Sequence, residues 1–167
     1  EKMISDFRAR GITDEIVLDV FRRVDRKLFL VSSMNAHLVR EGQRVLDAQG
    51  GIYPYKDSPQ QIGWNTSISA PGMHAETLKA LKDGLVKAKN ILDIGTGSGF
   101  ISAAMAAMAP ADSNVYAVDH IGEINLFAKH NIEVACPYLV KRGSFIFVTK
   151  DGRKGLPEFE GKKMQYD

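Results

Sequence analysis

The sequence predicts an α/β fold, with a mostly parallel sheet and helices on both of its faces. Two observations carry this expectation. From Asn90 onward, short apolar runs alternate with helical patterns, as in βα units joined by right-handed crossovers. Between the first such run and the first such helix stands Gly95-Thr96-Gly97-Ser98-Gly99. That is where open α/β sheets bind ligands, beyond the carboxyl ends of their strands.

The elements are expected in the following order. A short helix around residues 3–10 ends at Gly11, whose freedom at positive φ suits a helix stop. Asp14 can cap a second helix through about Arg26, with Ile16, Val17, Val20, Phe21 and Val24 at helical spacing. A third helix spans 34–48, with Leu38, Val39, Val45 and Leu46 on one face, and Gly50-Gly51 ends it. Pro54, Pro59, Gly63, Pro71 and Gly72 punctuate residues 52–72, which read as an ordered loop. A helix follows over 73–83 and stops at Gly84. Then come strand Asn90–Ile94, helix 99–109, strand Asn114–Asp119, helix 122–134 and strand 144–149. Met164-Gln165-Tyr166 looks like the start of a further strand.

Bulk properties exclude several functions. The net charge is +2 with no Lys/Arg run, so composition makes no case for nucleic acid as a partner. No apolar run approaches the roughly 20 residues of a membrane helix, and no signal-peptide pattern opens the sequence. Cys136 is the single cysteine, which precludes an internal disulfide and suits a reducing, cytoplasmic setting. It reads as a small buried apolar residue. The histidines and Cys136 have no metal-ligand spacing, and His37, His120 and His130 are assigned no role. A monomer is expected.

The loop names a ligand class. A dinucleotide site wants G-x-G-x-x-G, but the sixth position counted from Gly95 is the bulky Phe100. A Walker loop fails too, because no Lys-Ser/Thr follows. Asp93, two residues before Gly95, would sit poorly beside a pyrophosphate. It suits a cation without phosphates, and S-adenosylmethionine, with an ammonium and a sulfonium, fits. Asp119 ends the next strand about 20 residues on, where an acidic group can accept from ribose hydroxyls. Asp151-Gly152 follows the third strand, placed to meet an adenine. Gly95, Gly97 and Gly99 complete the expected cofactor-binding set.

Tyr55-Lys56-Asp57-Ser58-Pro59-Gln60-Gln61-Ile62-Gly63, Ser67-Ile68-Ser69-Ala70-Pro71 and Met73-His74-Ala75 resemble the signature of protein-L-isoaspartate O-methyltransferases. These are class I methyltransferases with a Rossmann-like fold. The resemblance continues through residues 92–99, Val118-Asp119-His120-Ile121 and Asp151-Gly152-Arg153, and reaches forward to Arg26-Lys27-Leu28-Phe29. It implies methyl transfer from S-adenosylmethionine to the free α-carboxylate of L-isoaspartyl residues in damaged proteins and peptides, leaving S-adenosylhomocysteine. The ester then closes to a succinimide that partly reopens to aspartate. Ser69 falls at the family's active-site serine and is expected to orient the substrate carboxylate; its plainer role would be to start the next helix. Thr66, Ser67, Ile68 and His74 match family positions near the cofactor. A carboxylate with pKa near about 3.5 is already ionised at neutral pH, so no general base is needed.

The resemblance divides the chain into an N-terminal helical segment, 1–51, with 32–51 as an insertion, and a cofactor-binding core, 52–167, within one domain. It places the strands that complete the sheet beyond Asp167. Gly72 stands where the family commonly has histidine. Three alternatives remain beside the isoaspartyl methyltransferase. One is a cofactor-binding module that does not turn over, and another is a class I methyltransferase with a different methyl acceptor. The third is a nicotinamide oxidoreductase, which the glycine spacing disfavours.

Overall fold

The structure is a computed structural model that describes residues 1–31, 34–35, 53–143, 145–159 and 161–167. The helix expected over 34–48 lies almost wholly outside these residues, as do His37 and Ser144.

Helix α1 spans Lys2–Ala9 and α2 spans Glu15–Arg23. Asp14 caps α2 by accepting from the N–H groups of Ile16 and Val17 at 3.0 and 3.4 Å, which satisfies donors that have no partner within the helix. Its other oxygen takes Lys82 Nζ at 2.6 Å, tying α2 to the next long helix. The expected run of α2 to Arg26 is corrected. The helix ends at Arg23, and Asp25 caps a separate 3-10 turn, Arg26–Phe29.

The expectation of a plain loop over 52–72 is also corrected. Strands β1 (Gln60–Gly63) and β2 (Thr66–Ile68) form an antiparallel hairpin. Its two-residue turn, Trp64-Asn65, has φ of 49° and 56°, the mirror-type turn whose twist matches paired strands. Asn65 tolerates that conformation well; Trp64 is held in it by packing on Phe127, with ring centroids 5.4 Å apart. The hairpin buries Ile62 and Ile68. Helix α3, Pro71–Leu85, follows. It starts at Pro71 because proline suits a first helical turn, and it runs past Gly84, which its interior accommodates.

Strands β3 (Asn90–Ile94), β4 (Asn114–Asp119) and β5 (Phe145–Thr149) form a parallel sheet in the order β3-β4-β5. Registers run Ile94 to Val118 and Asp119 to Thr149, so the strand ends align. Helix α4 (Phe100–Met108) crosses from β3 to β4, and α5 (Gly122–Ala135) with α6 (Pro137–Lys141) crosses from β4 to β5. These are the crossovers that parallel pairing requires.

Alternation along β4 divides the core. Val115 faces a large cluster with Phe100, Ala103, Met105, Phe127 and Ile132 from the helices. Tyr116 and Val118 face the other way. Among the described residues this second face is covered instead by the segment after β5: Leu156, Phe159, Met164 and Tyr166. A small hairpin, β6 (Glu158–Phe159) with β7 (Lys162–Lys163), belongs to that segment. Met164-Gln165-Tyr166, expected to begin a strand, forms none. It leads to Asp167, whose carboxylate accepts from the N–H groups of Lys89 and Asn90 at 2.7 and 3.0 Å.

The N-terminal helices join the same core through Phe100. Its ring lies 5.7 Å from Phe21 and 5.4 Å from Phe29, and Phe21 meets Phe7 edge-on at 4.9 Å. The residue whose bulk argues against a dinucleotide is thus an anchor for the helices that precede the sheet. Cys136 is fully buried, as expected.

Candidate active site

Two adjoining hollows open at the carboxyl ends of β3 and β4. The first, about 320 Å³, is lined by Ser67, Ile68, Ser69, His74, Asp93, Gly95, Gly97 and Phe100, among others. The second, about 680 Å³, is lined by Thr66, Ser67, Ile94, Gly95, Gly97, Asp119, His120, Asp151, Gly152 and Arg153, among others. Ser67, Gly95 and Gly97 border both. Of the twelve residues expected at the site, eleven line these hollows.

Gly99 is the exception. It lines neither hollow; it is the N-cap of α4 at φ 83°. A Cβ there would stand 3.1 Å from both Ala128 Cβ and Ile132 Cδ1, so its small size lets α4 pack on α5. Whatever part it takes at the cofactor, Gly99 has a packing role.

The glycine loop is held from both sides. Gly95 N and Thr96 N donate to Val118 O at 2.8 and 3.2 Å. Gly97 takes φ of 52°, and its N–H donates to Asp119 Oδ2 at 3.3 Å. Ile62 of β1 packs over the same glycine, its Cδ1 3.9 Å from where a Cβ would be. The hairpin and the cofactor loop are therefore in contact.

Asp93 sits beneath the loop, accepting from the hydroxyls of Ser102 and Thr96. Burial raises its pKa, opposed by those two hydrogen bonds, and the charge of Asp119 raises it further. Asp119 is buried, with Oδ1 accepting from Ile121 N at 3.2 Å. His120, assigned no role from sequence, stands 3.3 Å from the same oxygen. Asp151 caps a 3-10 turn, Gly152–Lys154, and pairs with Arg153 at 2.6 Å. Gly152 approaches the end of β3 so closely that a Cβ would lie 2.3 Å from Ile94 Cγ2.

Ser69 is half-buried, between β2 and α3. Its hydroxyl has no hydrogen-bond partner among the described residues, and α3 has no side-chain cap from its N-cap residue, Ala70. The helix start is served instead by Asp57, which accepts from Gly72 N at 2.7 Å and pairs with Arg10. A Cβ on Gly72 would fall 2.6 Å from Arg10 Nη1 and 2.9 Å from both Asp57 oxygens. The glycine that departs from the family pattern makes room for this ion pair.

His74 is buried, stacked on Phe100 with centroids 4.9 Å apart. Its Nδ1 lies 3.2 Å from Arg26 Nη1. Burial first, and the Arg26 charge second, push its pKa down to about 3, so the ring is neutral near pH 7. Arg26 was absent from the expected site, although the resemblance reached it. A charged residue at the end of an amphipathic pattern reads as solvated, and only contacts with residues far along the chain bury it.

Comparison with known proteins agrees with the geometry. The sequence profile described as protein-L-isoaspartate(D-aspartate) O-methyltransferase matches residues 1–161. The protein-L-isoaspartate O-methyltransferase of Triticum aestivum is 40% identical over 124 residues, covering 74% of this chain and 54% of the relative. That of Methanococcoides burtonii is 35% identical over 156 residues, covering 93% and 65%. A Plasmodium falciparum protein assigned as a protein-L-isoaspartate O-methyltransferase, crystallised with S-adenosyl-L-homocysteine, superposes with a TM-score of 0.69 at 27% identity, covering 89% of this chain and 62% of that one. The chain thus spans about half to two thirds of the length of these relatives. It has the parallel sheet, the glycine loop and the preceding hairpin in one continuous match, and it belongs to the protein-L-isoaspartate(D-aspartate) O-methyltransferase family.

Proposed function

We propose that the protein transfers a methyl group from S-adenosylmethionine to the free α-carboxylate of L-isoaspartyl residues in damaged proteins and peptides. The observation that carries this reading is the junction of the two hollows at Ser67, Gly95 and Gly97. It sets the Ser69 hydroxyl, unpartnered among the described residues, beside the glycine loop.

The donor set fits the cofactor. Asp93 and Asp119 present two carboxylates, and the raised pKa of Asp93 reflects burial beside a like charge. A cationic ligand relieves that repulsion; a phosphate adds to it. The Arg153 guanidinium bordering the second hollow is already paired with Asp151. Asp119 would hold ribose hydroxyls, Asp151 and Gly152 would border the adenine, and Asp93, Thr66, Ser67, Ile68 and His74 would line the amino-acid end. S-adenosylmethionine supplies the methyl group and its own leaving group.

The protein's own task is then to position and desolvate. Ser69 donates its hydroxyl proton to one oxygen of the substrate carboxylate and aims the other at the reacting carbon. A hydrogen bond of that kind orients an already ionised nucleophile without neutralising it. Alignment of this sort is worth several kcal/mol of barrier, up to roughly 7–11 in ideal cases. No described helix is long and apolar enough to cross a membrane. We read the protein as a monomer and as cytoplasmic; the single free cysteine, Cys136, is in keeping with a reducing setting.

The test is an isoaspartyl peptide assayed with the natural full-length protein for a base-labile methyl ester that releases methanol. Labelling of the isoaspartyl peptide, but not of its aspartyl counterpart, supports the reading. Methylation of a different acceptor alone overturns it at the substrate level.

A further inference from the structure

Arg26 is 1% exposed, yet its guanidinium meets no carboxylate among the described residues. Its donors go to three neutral acceptors on three segments distant in sequence. Nε donates to Pro54 O at 2.8 Å, Nη2 to Ser69 O at 2.6 Å, and Nη1 to His74 Nδ1 at 3.2 Å. Its Cζ lies over Phe100, 5.6 Å from the ring centroid. Burying a guanidinium without a counter-ion is costly, and an apolar side chain of similar length would fill the space without that cost. Two of its three hydrogen bonds end on residues that line the first hollow, and the third anchors the loop that carries Asp57.

We propose that Arg26 is a positioning residue for methyl transfer: it holds the backbone of Ser69 and fixes His74 as the tautomer protonated on Nε2. This rests on the reading of the hollow as the transfer site.

The chemistry is restrictive. A guanidinium donates and cannot accept, so Nδ1 of His74 must accept. The remaining ring proton therefore sits on Nε2, and His74 offers the hollow one donor without a charge. The low pKa of the ring keeps it so. A neutral donor stabilises the ground-state carboxylate less than an imidazolium would, so less of that stabilisation is lost as the carboxylate's charge is consumed in the transition state. The same guanidinium restrains Ser69 through its carbonyl, so both groups are set by one rigid fork. A lysine, as a point charge, cannot span the three acceptors.

The experiment uses Arg26→Met and Arg26→Lys, with the His74 tautomer read by two-bond ¹H–¹⁵N correlation of the imidazole. Folding is checked by circular dichroism. The native protein is expected to show Nε2–H. Arg26→Met is expected to lose that single tautomer, and its kcat for an isoaspartyl peptide to fall about 10²-fold with KM within about threefold, because misplacement acts on the aligned state. Arg26→Lys is expected to keep Nε2–H and recover part of the kcat, since lysine also donates to Nδ1. A folded Arg26→Met that keeps Nε2–H and native kcat overturns the proposal. If Arg26→Met does not fold, Arg26→Lys decides it: a Nδ1–H ring with native kcat overturns the proposal. The tautomer readout does not depend on turnover. A native protein that methylates no isoaspartyl peptide, yet switches tautomer in Arg26→Met, refutes the proposed function and supports the hold of Arg26 on His74.

Discussion

Asp119 Oδ2 accepts from the N–H of Gly97 at 3.3 Å, so the end of β4 is bonded directly to the loop that leaves β3. The carboxylate that is to hold the ribose therefore also shapes the loop that is to hold the rest of the cofactor. Asp119→Ala removes both. Hydrogen bonds to a charged group contribute roughly 1.5–3 kcal/mol each, so affinity for S-adenosylmethionine should fall about 10- to 100-fold in titration calorimetry. Unchanged affinity would take Asp119 out of the site.

Ser69 makes the opposite split. Its hydroxyl has no partner among the described residues, and Asp57 rather than Ser69 serves the start of α3. Ser69→Ala should therefore leave the melting temperature and cofactor affinity near native values while kcat falls about 10²-fold, the scale of a misaligned nucleophile. A substitution that lowered stability and left kcat intact would restore the helix-start role.

Gly99 occupies a tightly packed position at the start of α4. Alanine there must adopt φ of 83° and place its Cβ 3.1 Å from Ala128 and Ile132. The left-handed conformation costs about 1–2 kcal/mol and overpacking about 1–3 kcal/mol, so Gly99→Ala should destabilise the chain by roughly 2–5 kcal/mol in urea unfolding. Cofactor affinity per folded molecule should be unchanged, which separates packing from binding.

The low pKa of His74 carries a pH signature. Its folded value, about 3, lies below the ordinary 6.5, so the unfolded chain binds the extra proton between those values. Stability contributed by the neutral buried ring is complete above pH 6.5 and declines as pH falls toward 3. His74→Gln should flatten this acid limb of the urea-unfolding profile. A native profile that is flat from pH 7 to about 5 would contradict the buried neutral ring.

Much of the fold was legible because its signals are local. The β3, β4 and α4 boundaries lie within a residue or so of the pattern, since apolar alternation and Gly99 mark them within a few residues. The hairpin of β1 and β2 was harder to read. Prolines and glycines surround it, and its turn uses Trp64 at positive φ, a conformation supported by packing against Phe127 and the core. At Met164-Gln165-Tyr166 no strand forms; the Met164 and Tyr166 side chains cover Tyr116 and Val118 instead.

The sequence by itself determined the class of ligand and the family. The glycine spacing, Phe100, Asp93 and Asp119 sit at fixed short intervals, and short intervals are what local backbone geometry constrains. Tertiary structure alone decided the surroundings of Gly99 and Arg26. Gly99 looks like its neighbours in the loop until α5 is packed 3.1 Å from it. Arg26 reads as a solvated helix end until chain segments 28, 43 and 48 residues away enclose it. Burial and hydrogen-bond partnership are properties of the assembled core, where a single guanidinium can bridge segments that no sequence window contains together.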